Sequence, residues 1–404
     1  MKFYFPDSQD QVSPTYDFVH DEYSPLRVRQ RDDLYAHEVL DQAPYQGLLV
    51  SKAIVDGSVK GSGKYSESQR QRLYRLGVRN FFRLPGSVDT LGDCGAFNYV
   101  DEALPPYSVD EVIDFYEGCG FDAGISVDHV VLAYDAAKTF ETADPAWAER
   151  RRISLDYAEN YLSALKDRRS RVKPVGAAQG WSPASYADSV KQLQDMGYTW
   201  IALGGMVPLK TPDILACLQR IDEVRKPGVR LHLLGVTRVE SIHSFARLGV
   251  SSFDSTSPFR QSFLDDRNNY HVHDRTYVAI RVPQVDGNPA LKRKILAGQV
   301  AQSHAVRAER ECLRSLRGLD TGLVTPSTAL GALAEYEQII GTTKSYIPDY
   351  ERTIADAPWR HCVCSLCRAH GIEIAIFRGT ERNKRRGFHN LSVLAAKMAL
   401  VDPK

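Results

Sequence analysis

Three of the seven cysteines in this chain lie within six consecutive positions, in the segment HCVCSLCRAH at residues 361–370. Cys362, Cys364 and Cys367 are too close in sequence for disulfide bonds that would join distant segments, and the odd total would leave one thiol unpaired. Three thiolates at this spacing can instead converge on one tetrahedral cation, for which Zn²⁺ is the usual choice. The segment therefore predicts a metal site that needs one further ligand.

Three histidines are candidates for that fourth ligand: His361, His370 and His389. His361 adjoins a cysteine and would strain the chelate, which makes it the weakest of the three. His370 is near enough to compete with His389, which would tie the C-terminal helical pattern NLSVLAAKMAL to the cysteine loop. Four protein ligands leave no position open for water, so the site would be structural rather than catalytic. The alternative is a set of reduced cysteines without metal.

A second group of polar residues follows short apolar runs in the middle of the chain. Five of them stand at the C-terminal ends of such runs, and a sixth lies in the turn GDCGAF: Asp128, Gln179, Gly204, Gly205, Asp254 and, in the turn, Asp93. Two carboxylates of this group could act as nucleophile and proton shuttle at a glycosidic carbon. A single aspartate after a strand more often caps the next helix, so the set as a whole indicates a site.

The apolar runs themselves alternate with helical patterns. Five runs are typical of buried strands: AGISVDH (123–129), VKPVGAAQG (172–180), TWIALGG (199–205), RLHLLGV (230–236) and VSSFDST (250–256). Residues 47–55 and 81–86 could supply earlier strands. This alternation predicts parallel βα units, and residues 45–285 match the ~250 residues of a (β/α)8 TIM barrel. A doubly wound open sheet is the alternative, but no glycine-rich phosphate loop follows the first strand.

In such a barrel the C-terminal ends of all the strands meet on one face, where the chemistry of the fold is built. We therefore expect the polar group defined above to converge there.

Composition and charge limit the class of protein. Of the 404 residues 43% are hydrophobic, and 51 basic residues stand against 50 acidic ones, for a net charge of +1. With this balance the chain has no overall positive field that would attract a polyanion. Any surface that binds nucleic acid must therefore be a local basic patch. No stretch approaches the ~18 consecutive apolar residues of a membrane span, and the opening residues MKFYFPDSQDQ lack the pattern of a secretory signal. We therefore expect a soluble cytoplasmic protein.

Three basic clusters could follow the phosphates of a nucleic acid: KDRRSRVK (166–173), KRK (292–294) and ERNKRR (381–386). A lone basic cluster is usually a solvated helix face. The third cluster is the best candidate because it lies in sequence between the predicted metal ligands. The nearby aromatic residues Phe377 and Phe388 are more typical of a core.

Five motifs in this chain together resemble the tRNA-guanine transglycosylase superfamily. SSFDSTSPFR resembles the segment of that family that carries its nucleophile, GDCGAF its Asp-Ser-Gly-Gly-Phe, AAQG its Gln-Gly and ALGG its base-cradling loop. CVCSLC followed by FHN is similar to the zinc signature of the family, which favours His389 as fourth ligand. All five motifs occur in the family order and span roughly residues 90–392.

The departures from the family pattern point to its DNA-modifying branch. Cys94, Ala96 and Asn98 replace the residues usual in the first motif, and Phe259 stands where the family has Thr. A long basic, helix-forming link, ALKRKILAGQVAQSHAVRAERECLRSLRG, separates Asp254 from the cysteines. The segments KFYFPDSQDQVSP, RVRQRDDLYAHEVL and GLLVSKAIVDG resemble the DpdA-like enzymes, which insert 7-deazaguanines into DNA.

The resemblance implies a mechanism and a set of partners. Asp254 would attack C1′ of a guanosine, and Asp93 would protonate the departing base and later deprotonate the incoming one. Asp128 would accept hydrogen bonds from the base, while Gln179 and the Gly204 amide would address its carbonyl group. Gly205 would belong to the same base-binding loop. The implied partners are DNA, free guanine and the 7-deazaguanine preQ0, with structural Zn²⁺ as cofactor. The sequence leaves open whether accessory proteins open the duplex.

Two alternative functions remain: a tRNA-guanine transglycosylase of the queuine type, and a non-catalytic nucleic-acid-binding subunit. The presence of both Asp93 and Asp254 argues against the second. The predicted domains are a TIM-barrel catalytic domain with an N-terminal extension (1–285), a helical insertion (286–350) and a zinc-binding subdomain packed on the barrel (351–404).

Overall fold

The structure is a computed structural model that describes residues 1–7, 9–57, 61, 63–342 and 344–401. The strands in these residues are β1 (Lys2–Pro6), β2 (Gly47–Ser51), β3 (Asp89–Asp93), β4 (Ala123–Ile125), β5 (Lys173–Ala178), β6 (Trp200–Leu203), β7 (Arg230–Leu233), β8 (Val250–Asp254), β9 (Tyr270–His271), β10 (Thr276–Tyr277), β11 (Ile280–Arg281) and β12 (Ile376–Phe377). Residues 402–404, which belong to the third predicted domain, lie outside the described residues.

The α-helices of the same residues are α1 (Ala36–Val39), α2 (Lys52–Asp56), α3 (Glu67–Phe81), α4 (Val109–Cys119), α5 (Pro145–Asp167), α6 (Pro183–Met196), α7 (Thr211–Asp222), α8 (Ile242–Arg247), α9 (Ser257–Leu264), α10 (Pro289–Leu296), α11 (Gln302–Asp320), α12 (Pro326–Ile340), α13 (Ile347–Asp356), α14 (Pro358–His361), α15 (Ser365–His370) and α16 (Gly379–Val401). Short 3₁₀ helices span Ala96–Tyr99, Val239–Ser241 and Gly371–Ile374. In the described part of the chain no helix is both long enough and apolar enough to cross a membrane.

The first eight strands form a closed parallel barrel in chain order, and β8 pairs with β1 to close it. Strands β1 to β6 contribute side chains to one apolar core, which includes Tyr4, Leu91, Ile125 and Trp200. Parallel strands buried on both faces need nearly continuous apolar sequence, which is the pattern of the central runs. The predicted (β/α)8 TIM barrel is confirmed.

The helices between the strands begin and end where local sequence favours it. The side chain of Ser182 accepts a hydrogen bond from the Ser185 backbone, Pro183 opens α6, and Gly197 ends the helix in the left-handed conformation. A hydroxyl before the first turn and a glycine after the last satisfy backbone groups that have no partner within a helix. The helical patterns that alternate with the apolar runs are confirmed here as α6, α7 and α8, which follow β5, β6 and β7.

Two of the early strands differ from the prediction. The barrel begins with β1, at Lys2–Pro6, and residues 81–86 form the end of α3 and the turn after it. The third strand is Asp89–Asp93, whose sequence DTLGD has little apolar character. The physical reason lies in Gly92: a Cβ at this position would meet the ring of Tyr116 at 2.3 Å. The aromatic ring supplied by α4 therefore occupies the space that a strand side chain would otherwise fill.

The chain divides into two compact units. One comprises Met1–Ser8, Tyr45–Thr256 and Met398–Lys404 and contains the barrel; the other comprises Gln9–Pro44 and Ser257–Lys397. The second unit holds α10 and α11, which confirm the predicted helix-forming link, and two small sheets, β9–β10 and β11–β12. The predicted domain boundaries at residues 285 and 350 differ from this division, and the three predicted domains remain a proposal.

The basic segment 381–386 is not an exposed surface. Its arginines are almost completely buried within the second unit: Arg382, Arg385 and Arg386. Arg382 forms ion pairs with Asp21 and Glu373, and Arg385 pairs with Glu381. A buried guanidinium must be paired and hydrogen-bonded. These side chains therefore hold interior contacts and are not free to bind phosphates. The prediction that this cluster follows phosphates is therefore wrong for its three arginines.

Candidate active site and metal centre

The barrel gathers the predicted polar residues at the C-terminal ends of its strands. Asp93 and Asp254 are the last residues of β3 and β8, and Gln179 directly follows β5. Asp128 lies three residues after β4, and Gly204 directly follows β6. Parallel strands bring these ends to a single face of the barrel. The expected convergence is therefore present, and residues from five strands share one site.

Asp128 is the centre of a buried hydrogen-bond network. Its side chain is 3% exposed, and its carboxylate accepts hydrogen bonds from Nε2 of Gln179 at 2.5 Å and from Sγ of Cys94 at 3.2 Å. Burial raises the pKa of the Asp128 carboxyl, and these two donors oppose that effect. The backbone N–H of Val131 donates to Oε1 of Gln179 at 3.1 Å, which orients the amide. The network presents a fixed set of acceptors and donors on the barrel face.

Cys94 and Tyr99 complete this network, and sequence reasoning did not assign a role to either. The Tyr99 hydroxyl lies 3.0 Å from Sγ of Cys94 and 3.1 Å from the Asp128 carbonyl oxygen. Burial raises the pKa of the Cys94 thiol well above its ordinary value, so the thiol keeps its proton and donates a hydrogen bond to Oδ1 of Asp128. The cysteine that departs from the family motif thus acts as a hydrogen-bond donor.

The two glycines after β6 are required by close approach and by backbone conformation. A Cβ at Gly204 would lie 2.1 Å from Nε2 of Gln179, and Gly205 has φ of 72°. The backbone N–H of Gly204 donates to the carbonyl oxygen of Ala178 at 3.0 Å. That amide is therefore occupied within the sheet, which corrects the expectation that it addresses the carbonyl group of a base. The glycines instead leave room for the Gln179 side chain.

Asp93 has the electrostatics of an acid–base group. Burial of its carboxyl, together with the negative charges of Asp128 and Asp254, raises its pKa from 3.8 to about 7. The residue is nevertheless partly exposed, so a substrate can reach it. A carboxyl group with a pKa near neutrality can both donate and accept a proton at physiological pH, which is the property of a proton shuttle.

Asp254 is held by two donors that both contact the same carboxylate oxygen. The backbone N–H of Gly235 donates to Oδ1 at 2.9 Å, and Nε2 of His232 lies 3.1 Å from the same atom. Asp254 is 6% exposed and His232 is fully buried. Sequence reasoning missed His232, which stands in the run RLHLLGV. The signal that could have found it is a lone polar residue in an apolar strand next to the strand that ends in Asp254.

The four predicted metal ligands lie together in the second unit: Cys362, Cys364, Cys367 and His389. Their ligand atoms all lie within 4.8 Å of one another, and Nδ1 of the histidine is 3.4 to 3.5 Å from each sulfur. Zn–S bonds of ~2.3 Å and Zn–N bonds of ~2.0 Å in a tetrahedron separate sulfur from nitrogen by about 3.5 Å. The geometry therefore matches a cluster that could hold a metal ion.

The surroundings of His389 determine which of its nitrogens faces the sulfurs. Its Nε2 lies 2.8 Å from the backbone carbonyl oxygen of His271, an acceptor, so Nε2 carries the proton and Nδ1 presents a lone pair. The ring also stacks on Tyr270, with centroids 4.4 Å apart. His361 is exposed, and His370 packs against Phe18, so neither belongs to this cluster. Of the three candidate histidines, the structure groups His389 with the three cysteines.

Comparison with known proteins identifies the family of the whole chain. No family model matches the chain. The chain is 47% identical over 400 residues to a DNA-guanine transglycosylase of Salmonella montevideo, and the match covers 98% of this chain and 95% of that protein. A likeness of this extent over nearly the whole of both chains shows common family membership. The chain belongs to the DNA-guanine transglycosylase family.

Proposed function

We propose that this chain, an enzyme of the DNA-guanine transglycosylase family, exchanges guanine in DNA for a 7-deazaguanine through a covalent intermediate on Asp254. One observation carries the proposal most directly. The barrel places Asp93, with a pKa of about 7, close enough to Asp254 that the charge of Asp254 contributes to this shift. Two carboxyl groups with separated roles are what displacement at a glycosidic carbon with retained configuration requires.

In the first half of the reaction, Asp254 acts as nucleophile. A carboxylate oxygen of Asp254 forms a bond to C1′ of the deoxyguanosine while the C1′–N9 bond breaks and its electron pair leaves with guanine. The protonated carboxyl of Asp93 gives its proton to the departing base, so that neutral guanine is released. The products are a glycosyl ester on Asp254 and an ionised Asp93.

In the second half, the incoming base reverses these steps. The ionised Asp93 takes the proton from N9 of the incoming base, and N9 attacks C1′ while the bond to Asp254 breaks. Two inversions retain the configuration at C1′, as in a retaining glycosidase, whose carboxyl groups stand ~5 Å apart. We take preQ0 to be the incoming base because the resemblance to the DNA-modifying branch favours it.

The network around Asp128 supports recognition of a guanine-like edge. Each carboxylate oxygen of Asp128 has one donor already, and each keeps a lone pair for the exocyclic amine or ring N–H of a base. Nε2 of Gln179 carries a second hydrogen that can address the carbonyl group of the base. A base without these groups would leave buried polar atoms unpaired, at a cost of ~1–3 kcal/mol each.

The Cys₃His cluster is proposed to hold a structural Zn²⁺. Three thiolates and one neutral imidazole suit this ion, and four protein ligands leave no position for water. The ion, when bound, would join the loop at residues 362–367 to α16 within the second unit and would take no part in the exchange.

The polymer substrate is proposed to be DNA, as the name of the Salmonella montevideo relative states for that protein. Two of the three predicted basic clusters keep exposed cations, among them Lys292 and Arg293 on α10. A base inside a duplex must be flipped out before the barrel can receive it, at a cost of a few kcal/mol, and accessory proteins could supply an opened strand. The tRNA version of the enzyme is the second candidate because the sequence motifs are shared with that branch.

One experiment tests the function directly. Purified protein is incubated with labelled guanine or labelled preQ0 and with plasmid DNA, single-stranded DNA or tRNA, and the label in each polymer is measured. We expect label in DNA, with a steep fall as salt is raised, because phosphate contacts release counterions. Label in tRNA and in neither form of DNA would overturn the proposed substrate.

The pH dependence of guanine release should report on Asp93. This carboxyl must be protonated when guanine leaves, so the rate should fall about tenfold per pH unit above its pKa of about 7 and level off below it. Single-turnover release of labelled guanine, measured from about pH 6 to about pH 9, checks this. A rate that is constant over this range would contradict the assignment of Asp93 as general acid.

Zinc binding gives a prediction about stability. The protein should carry about one Zn²⁺ per chain, and His389→Ala or Cys364→Ser should lower both the zinc content and the melting temperature, because ligand binding energy contributes to folding. The exposed His361→Ala is the matched control and should change neither quantity. Full zinc content in His389→Ala together with its loss in His370→Ala would move the fourth ligand to His370.

A further inference from the structure

The nucleophilic carboxylate has an asymmetric environment. Both hydrogen bonds to Asp254, from Nε2 of His232 and from the Gly235 amide, go to Oδ1. In the part of the chain that the structure describes, Oδ2 has no hydrogen-bond partner. One oxygen of Asp254 is thus anchored, and the other is available for bond formation.

The imidazole of His232 is itself held in one orientation. Its Nδ1 lies 2.9 Å from Oγ of Ser252, the residue paired with His232 across β7 and β8. The rings of Tyr4 and Trp200 pack edge-on against it, with centroids 5.7 and 6.3 Å away. A fully buried ring between two aromatic side chains has little freedom to rotate.

The hydrogen bonds also indicate which ring nitrogen of His232 carries the proton. The Asp254 carboxylate is an acceptor only, so Nε2 of His232 must carry the proton in their contact. In the neutral ring, Nδ1 then accepts from the Ser252 hydroxyl, which can donate. The Ser252 hydroxyl is therefore compatible with the tautomer that Asp254 requires.

We propose that His232 is a positioning residue for the nucleophile: its Nε2–H fixes Oδ1 of Asp254, turns Oδ2 toward C1′ and supports Asp254 as the leaving group in the second half of the exchange. This inference rests on the proposed function. When N9 of the incoming base attacks C1′, the electron pair of the C1′–Oδ2 bond passes to the carboxylate and spreads to Oδ1. The Nε2–H donor stabilises this charge, while the proton of N9 goes to Asp93, so His232 neither gains nor loses a proton.

A consequence distinguishes this role from a structural one. A donor that stabilises the departing carboxylate assists the breaking of the glycosyl ester more than its formation, because charge accumulates on Oδ1 only as the ester breaks. Without the donor, glycosyl–enzyme should form and then persist. The amount of trapped adduct should therefore rise while overall exchange falls.

The test compares two substitutions at the same position. His232→Gln can place an amide N–H near the position of Nε2, whereas His232→Leu has similar bulk and no donor. We expect His232→Leu to exchange base about 10²-fold more slowly, the usual loss for one such donor, with guanine release much less affected. His232→Gln should recover most of the rate, and Ser252→Ala should show a smaller loss of the same kind. Trapped adduct on denatured enzyme, single-turnover guanine release and melting temperature are measured for each variant.

The outcomes separate the inference from the function on which it rests. If wild-type enzyme forms no adduct when the incoming base is withheld, the covalent function fails whatever the variants do. If wild type forms adduct and His232→Leu exchanges base at the wild-type rate, the positioning role is overturned. It is also overturned if His232→Leu slows both half-reactions equally and His232→Gln restores neither, because that pattern indicates packing alone.

Discussion

Asp254→Asn should abolish base exchange, with a loss of at least about 10³-fold, and should yield no trapped nucleic-acid adduct. An amide nitrogen or oxygen is far less nucleophilic than a carboxylate and cannot form the glycosyl ester. The variant should keep its fold, since the amide oxygen can still accept from the Gly235 N–H and from His232. Exchange of labelled guanine into DNA and trapping of the covalent complex measure the two effects.

A matched control and a second substitution sharpen this experiment. Asp195→Asn removes a carboxylate that pairs with Lys191 and Lys226 on the protein surface, and it should exchange base normally. Asp254→Glu keeps the carboxylate but moves it by one methylene, so its activity should also be low because bond formation requires close alignment. Base exchange retained by Asp254→Asn would remove Asp254 from the role of nucleophile.

Asp93→Asn should slow base exchange by about 10²–10⁴-fold, because an amide can neither protonate the leaving guanine nor deprotonate the incoming base. It should also stabilise the protein above neutral pH. The folded-state pKa of Asp93, about 7, lies above its ordinary value of 3.8. The stability associated with this group is therefore fully present below about pH 4 and is lost as pH rises through about pH 7. Denaturation curves of the wild type and the variant should diverge over that window.

The control for this experiment lies on the same strand. Asp89 opens β3, pairs with Lys2 and stands at the opposite end from Asp93. Asp89→Asn should retain exchange and should not reproduce the gain in stability at alkaline pH. If Asp93→Asn instead exchanged base at the wild-type rate, or were no more stable than wild type at about pH 8, the buried acid–base role would be wrong.

Most of the barrel and most of the candidate site can be predicted from residue types and their local spacing. Buried parallel strands need continuous apolar runs, so β4 to β8 are visible as such runs, and the polar residues that end them mark the face that we propose to be catalytic. The three cysteines are equally clear because a metal loop brings its ligands together over a few residues. The motifs occur along the chain in the order typical of the family, and they identify Asp93, Asp128, Gln179 and Asp254.

Features that depend on residues far apart in sequence become visible only in the folded chain. The strand β3 carries a glycine at position 92 because the ring of Tyr116 fills the space beside it, and no local sequence pattern indicates that ring. In the sequence, the arginines of the segment 381–386 have the pattern of a solvated surface. In the folded chain one of them, Arg382, is paired with Asp21 and Glu373 inside the second unit.

The environment of the proposed nucleophile also depends on residues that are far apart in sequence. His232 is recognisable as a partner of Asp254 only when β7 lies beside β8, since 22 residues separate them in the chain. From the sequence alone, the Gly204 amide was expected to contact the base. In the folded chain this amide donates to the backbone carbonyl oxygen of Ala178. Residue types and local spacing encode which chemistry the chain can perform. The pairing of strands and the burial of charges decide which atoms remain free to perform it.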